Sequence, residues 1–413
     1  MERVQSTNAA SIAHGRLQGR ASLALRPGRR GVAAFLLVGA GMLVGCSDSS
    51  ATDAGPCEPG PYFTELPVDA GAISWFLVLG QFNPPGDIVP RPQTGLQLTS
   101  PALTPLRAIG DIDIVHIESS RWLASPTREG HVDYSLSFEV PACREIFGNF
   151  EHIAVLEPEL EAHLAGASCE VYSTESETLE ACGRRVRIPV AAGQPLGQAG
   201  GATTGLDFDL FDRRVRFDYV AGHRYPQARW AICPQHLFVP AHRDFLLART
   251  GRGEERRTAE PVCGTMEIDV AGTAQGMWVL DGNDVTFSSA THQLFFALAR
   301  HDVHADTHQV LVTAHPAFRH PSWGPIVVSF PVEAGGRVNR AWRDLPADGT
   351  IYCLVPETAQ GHFPVTDASY LAAFDADGKV TLERKSHAPG ESPCLTESPE
   401  AWAFSASAIK LMR

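Results

Sequence analysis

Over residues 189–212, PVAAGQPLGQAGGATTGLDFDLFD, apolar and polar positions alternate, break at a turn, and alternate again. A period of two places successive side chains on opposite faces, so each alternating run predicts a strand. One short strand ends at a turn centred on Ala192-Gly193, and a second follows over 194–198. Gly200, Gly201 and Gly205 then supply a loop, since glycine accepts turn conformations at little steric cost. Over 206–211, Leu206, Phe208 and Leu210 share one face while Asp207 and Asp209 share the other, which predicts a strand with one buried face.

The same reading predicts strands over 73–79, 95–98, 112–117 and 131–138, and a short helix over 157–165. Beyond residue 213, short runs over 215–220, 229–233 and 236–239 read as strands, and 248–258 (ARTGRGEERRT) reads as a basic, solvated loop. Met266, Ile268 and Val270 alternate, and further strands are predicted over 277–280, 294–299, 310–314, 326–330, 350–354, 370–375 and 379–384. Asp281-Gly282, Asp348-Gly349 and Asp377-Gly378 are dipeptides that join hairpins. The expected fold is therefore mainly β: an antiparallel sheet domain over 61–213, a connecting region over 214–262, and a second antiparallel sandwich or barrel over 263–413.

Residues 1–45 change the picture from fold to address. Arg26, Arg29 and Arg30 precede a 15-residue apolar run, too short for a membrane span. The run ends in Leu43-Val44-Gly45-Cys46, which resembles the lipobox of bacterial lipoproteins. That resemblance implies a signal peptide over 1–45 and a lipid on Cys46, with 46–60 as a flexible linker. Ser47, rather than Asp, after the cysteine points to the outer membrane of the cell envelope. Eight further cysteines (Cys57, Cys143, Cys169, Cys182, Cys233, Cys263, Cys353 and Cys394) suit a disulfide framework in an exported chain. They allow about a hundred pairings, of which the local ones, 169–182, 233–263 and 353–394 with 57–143 left over, are favoured. The formal charge of −13 becomes more negative once a leader holding six Arg and one Glu is removed, which argues against nucleic acid as a partner.

The layout of 189–212 resembles the closing motif of the lysostaphin/LytM-type zinc peptidases, V-x-x-G-x-x-(I/L)-G-x-x-G followed by His-x-His on a strand. Upstream, Gln93-Thr94-Gly95-Leu96-Gln97-Leu98 resembles that family's His-x-Gly-(I/V)-Asp-(L/F), and 147–153 resembles its Tyr-x-His-(L/I)-Ser segment. Carried over position by position, the zinc-ligand places hold Gln93, Gln97 and Asp207. The two places of the histidines that activate the bound water hold His152 and Gly205. One carboxylate and two amides are a poor donor set for zinc, which takes imidazole, thiolate or carboxylate. The resemblance thus implies a degenerate, non-catalytic peptidase-like domain with no cofactor, a pseudoenzyme that binds a peptidoglycan peptide or another envelope protein.

An alternative stays open, an active zinc metallopeptidase with a rearranged site built from His131, Asp133, His152 and Asp207. His301, His304 and His308 lie between two predicted strands, where they are expected to scatter along a loop. Calcium-loop, phosphate-loop, dinucleotide and nucleophile-elbow motifs are not found.

Overall fold

The computed structural model describes residues 57, 59–82, 88–126, 128–173, 177–217, 219–225, 230–288, 290–319, 326–357 and 367–413. Cys46 and the leader lie outside these residues. The chain is mainly β, and its sheets are antiparallel. No helix among the described residues is long and apolar enough to cross a membrane.

Ten strands build the first sheet: β1 (Ile73–Phe76), β2 (Gly95–Leu98), β3 (Thr104–Arg107), β4 (Ile112–Ala124), β5 (Val132–Val140), β6 (Cys143–Leu156), β7 (Ser168–Ser173), β8 (Thr178–Val190), β9 (Pro195–Ala199) and β10 (Gly205–Asp212). Their order is β1-β2-β10-β6-β5-β4-β8-β7, with β9 paired to β6 and β3 to β9. The stretch read first from its pattern therefore supplies the end of β8, all of β9, and β10, which lies between β2 and β6. Gly193, Gly200 and Gly201 have φ of +76°, +107° and +77°, in the positive-φ region that glycine enters freely. Leu206, Phe208 and Leu210 face a core that includes Phe63, Phe138, Phe150 and Phe238. Phe150 and Phe208 stack with ring centroids 5.1 Å apart.

The second half corrects the strand expectations for 215–239. Among the described residues this segment holds 3₁₀ turns at Gly222–Arg224 and Pro234–Leu237, and a helix over Pro240–Leu247 follows with proline at its first turn. The basic loop is also corrected. It contains a small hairpin, β11 (Gly251–Arg252) with β12 (Glu255–Arg256), and its arginines are engaged rather than solvated. Arg252 pairs with Asp302 at 2.7 Å, and Arg257 is buried.

Eight strands form the second sheet: β13 (Gly276–Leu280), β14 (Phe295–Arg300), β15 (His308–Thr313), β16 (Ile326–Pro331), β17 (Tyr352–Leu354), β18 (Ala368–Phe374), β19 (Val380–Ser386) and β20 (Ile409–Met412). They run β16-β15-β14-β13-β20-β19-β18-β17. Just past β17, the Glu357 N–H donates to the Ser329 carbonyl of β16 at 2.9 Å, so the two edges approach closure like a barrel. Alternate residues serve two cores. Trp278, Phe296, Leu298 and Leu311 pack with Tyr370 and Leu382, whereas Val279, Phe295, Ala297 and Val312 pack with Leu79, Phe211 and Met266. Burial on both faces explains why β14 reads FFALA, with no polar alternation.

Four disulfides join Cys57 to Cys143, Cys169 to Cys182, Cys233 to Cys263 and Cys353 to Cys394. The last three are the local pairs that proximity in sequence favours, and the first is the pair left over. Cys169 and Cys182 face each other across the β7–β8 hairpin.

Candidate functional site

On β10, Asp207 has Gly95 of β2 on one side and Glu151 of β6 on the other. Gly205 stands opposite Gln97. Three of the positions singled out by sequence therefore share one patch of sheet. Gly95 is required by this packing, because a Cβ there would lie 2.8 Å from the Leu206 carbonyl oxygen and 3.1 Å from Asp207 Oδ1.

His152 joins them through an irregularity in β6. The register of β6 against β5 slips between the Tyr134–Ile153 and Leu136–Phe150 pairs, and His152 adopts φ +65°. A bulge of this kind re-aims a side chain, and histidine is among the few residues that tolerate the left-handed region. His152 Nδ1 lies 2.7 Å from Asp133 Oδ2, and Nε2 lies 3.6 Å from Asp207 Oδ2. Asp133 sits next door on β5.

The residue that ties the cluster together was not foreseen. Arg91, 4% exposed, donates from Nη2 to Asp207 Oδ2 at 2.8 Å and from Nε to Gln93 Oε1. Gln97 turns away, donating from Nε2 to Thr204 Oγ1. Gln93 and Asp207 thus meet at a guanidinium and Asp207 in turn faces His152, while Gln97 lies at the margin and Gly205 contributes no side chain.

Asp209 corrects a second expectation. The acidic face of β10 is buried, not solvated: Asp207 is 5% and Asp209 1% exposed. Asp209 Oδ1 accepts the Thr94 N–H at 3.0 Å. Burial, with Glu151 and Asp207 close by, drives the Asp209 pKa well above the ordinary carboxyl range. His152 moves upward as well. Burial by itself would lower its pKa, but the carboxylates of Asp133, Asp207 and Glu151 outweigh that and raise it to about 9. At neutral pH the cluster therefore holds two cations, Arg91 and an imidazolium, among its carboxylates.

Both ring nitrogens of His152 are directed at carboxylates. Asp207, the one strong donor at the expected ligand places, is committed to Arg91. His131, another member of the alternative set, lies within electrostatic reach of Asp133 and His152. Its ring lies against Trp122, with centroids 5.6 Å apart, and it makes no hydrogen bond to Asp133, His152 or Asp207. Burial lowers its pKa in spite of nearby Asp133.

Elsewhere the rings of His301, His304 and His308 gather with centroids 5.1–6.1 Å apart rather than scattering along a loop. Their nitrogens do not converge on a common point. Among the described residues, the set of three donor groups that does converge is Cys233, His236 and Cys263, whose two sulfurs are bonded to each other.

No protein-family model matches the sequence, and no curated protein matches it. Among solved structures, Helicobacter pylori Csd3 matches at 13% identity and a TM-score of 0.19, over 37% of this chain and 32% of the other. The match thus spans about a third of the Csd3 chain, and at that TM-score the likeness carries no argument.

Proposed function

We propose that this chain is a non-catalytic lipoprotein of the bacterial cell envelope, anchored through Cys46 in the outer membrane. Its first sheet is a peptidase-like domain that binds a wall peptide or docks an envelope protein. One observation carries the reading: the Arg91 guanidinium sits against Asp207 and Gln93, at the positions where the resembled family places zinc ligands. A fixed cation there repels a metal ion and consumes the carboxylate that would bind it. Without a metal nothing lowers the pKa of a water towards neutrality, and a protonated His152 cannot accept its proton. The four disulfides accord with an extracytoplasmic location. What the degenerate site retains is shape, and a sheet can take an extended peptide by backbone pairing as well as by pockets.

The test is to incubate the purified mature chain with peptidoglycan sacculi and analyse pellet and supernatant. Co-sedimentation without release of soluble peptides is expected. Peptide release that stops on adding a chelator would identify a working metallopeptidase instead, and an empty pellet would move the partner to another envelope protein.

A further inference from the structure

A second candidate site lies on the far side of the segment that pairs with Arg91, where the Gly80 N–H donates to the Arg91 carbonyl at 3.0 Å and the Arg91 N–H to the Gln81 carbonyl at 2.9 Å. Between residues 78–82, the turn at Gly264 and the end of β14 is a cavity of about 240 Å³. Its floor is backbone packed on backbone. Leu79 and Gly264 form a parallel bridge, and the Leu79 N–H donates to the Cys263 carbonyl at 2.8 Å. A Cβ on Gly80 would fall 2.0 Å from the Thr265 carbonyl oxygen, and one on Gly264 would fall 2.3 Å from that of Leu79. The disulfide from Cys263 to Cys233 anchors the turn. The cavity is therefore preformed, which spares a ligand the cost of ordering its walls.

Val78, Phe82 and Ile268 give the walls an apolar side, and Arg257, Arg300 and Arg343 give them a cationic one. Arg257 is the informative residue. It is 6% exposed, yet its hydrogen bonds go from Nε to the Pro261 carbonyl at 2.9 Å and from Nη1 to the Asp302 carbonyl. Among the described residues it forms no ion pair with a carboxylate, although a buried charge ordinarily has one. Burial, and then Arg300 nearby, lowers its pKa against the opposing pull of Asp302, Asp306 and Glu260. Asp302 in the same wall is already matched by Arg252 at 2.7 Å. Arg300 is held by Asp306 at 2.6 Å, and Arg343 stands at the mouth with its side chain 60% exposed.

We propose that this cavity binds a small organic carboxylate, its charged end on the Arg257 guanidinium and its short apolar body against Val78, Phe82 and Ile268. A singly charged group fits better than phosphate, because Glu267 also lines the cavity and limits its positive potential. The planar guanidinium presents paired N–H groups to the two oxygens of a carboxylate.

Calorimetric titration of the mature chain with hexanoate, inorganic phosphate and hexylammonium decides the matter. Hexanoate is expected to bind one-to-one with a Kd below about 1 mM, with phosphate weaker and hexylammonium giving no saturable heat. Arg257→Gln should weaken hexanoate by about tenfold or more, in line with the loss of a charged hydrogen bond. Because that buried change can also disturb folding, Arg343→Glu at the exposed mouth is the companion variant. It should keep the thermal midpoint and weaken hexanoate several-fold. No saturable heat with hexanoate, equal binding of hexylammonium, or unaltered binding in both variants would overturn the proposal. Phosphate binding more tightly than hexanoate would overturn the choice of a carboxylate. None of these outcomes bears on the Arg91 cluster.

Discussion

Replacing Arg91 with methionine is expected to destabilise the folded chain by roughly 3–5 kcal/mol, as for other buried ion pairs broken on one side. The reason is local and electrostatic. The Arg91 and Asp207 side chains are only 5% and 6% exposed, so neither charge can recover its hydration in the fold. Removing the guanidinium leaves Asp207 facing Glu151 and Asp209 without that counterion. Urea denaturation of the two proteins measures the difference. A double change, Arg91→Met with Asp207→Leu, should recover much of the loss, since an apolar pair of similar volume avoids a lone buried charge. A cost for Arg91→Met below about 1 kcal/mol, typical of exposed pairs, would mean that the pair does not hold the site together.

The second large effect is a dependence on pH centred on His152. Its pKa rises from the usual 6.5 to about 9 in the fold. The folded state therefore binds that proton more tightly than the unfolded chain. The resulting stabilisation is fully present below pH 6.5 and is lost as pH rises through about 9. Its size, on the order of 3 kcal/mol, is large beside the whole stability of a domain. His152→Asn suits the left-handed backbone and removes the titration. Urea midpoints followed from pH 6 to pH 10 should fall steeply for the parent chain and less for the variant. The difference between the two curves reports the His152 contribution. Parallel curves would show that Asp133, Asp207 and Glu151 do not hold an imidazolium.

The parts of the fold that were legible are those in which pattern and geometry are the same thing. Strand β10, the turn at Gly193 and the glycine loop at 200–201 follow from alternation and from glycine's freedom, and the structure places them where the pattern does. Alternation tells which side chains share a face but not what covers that face, so the burial of Asp207 and Asp209 was hidden. The bulge that turns His152 inward is a property of register between two strands, and one strand read alone does not contain it. Arg91 was illegible for another reason. It lies outside the regular strands, in the Pro-rich run VPRPQ, and reaches Asp207 across 116 residues of sequence. No local period marks such a contact. The runs over 215–239 misled because short apolar stretches bounded by Pro and Gly serve tight turns as readily as strands. Proline at the start of Pro240–Leu247 was an available signal for the helix that follows.

In the proposed function, charge already fills the place where a metal ion would sit. Zinc content of the tag-free mature chain, dialysed at pH 7.5 against zinc and then against metal-free buffer, tests that most directly. Substoichiometric zinc, unaltered in His152→Asn, is the predicted result. About one tightly held zinc per chain, lost when His152 or Asp207 is replaced, would contradict it.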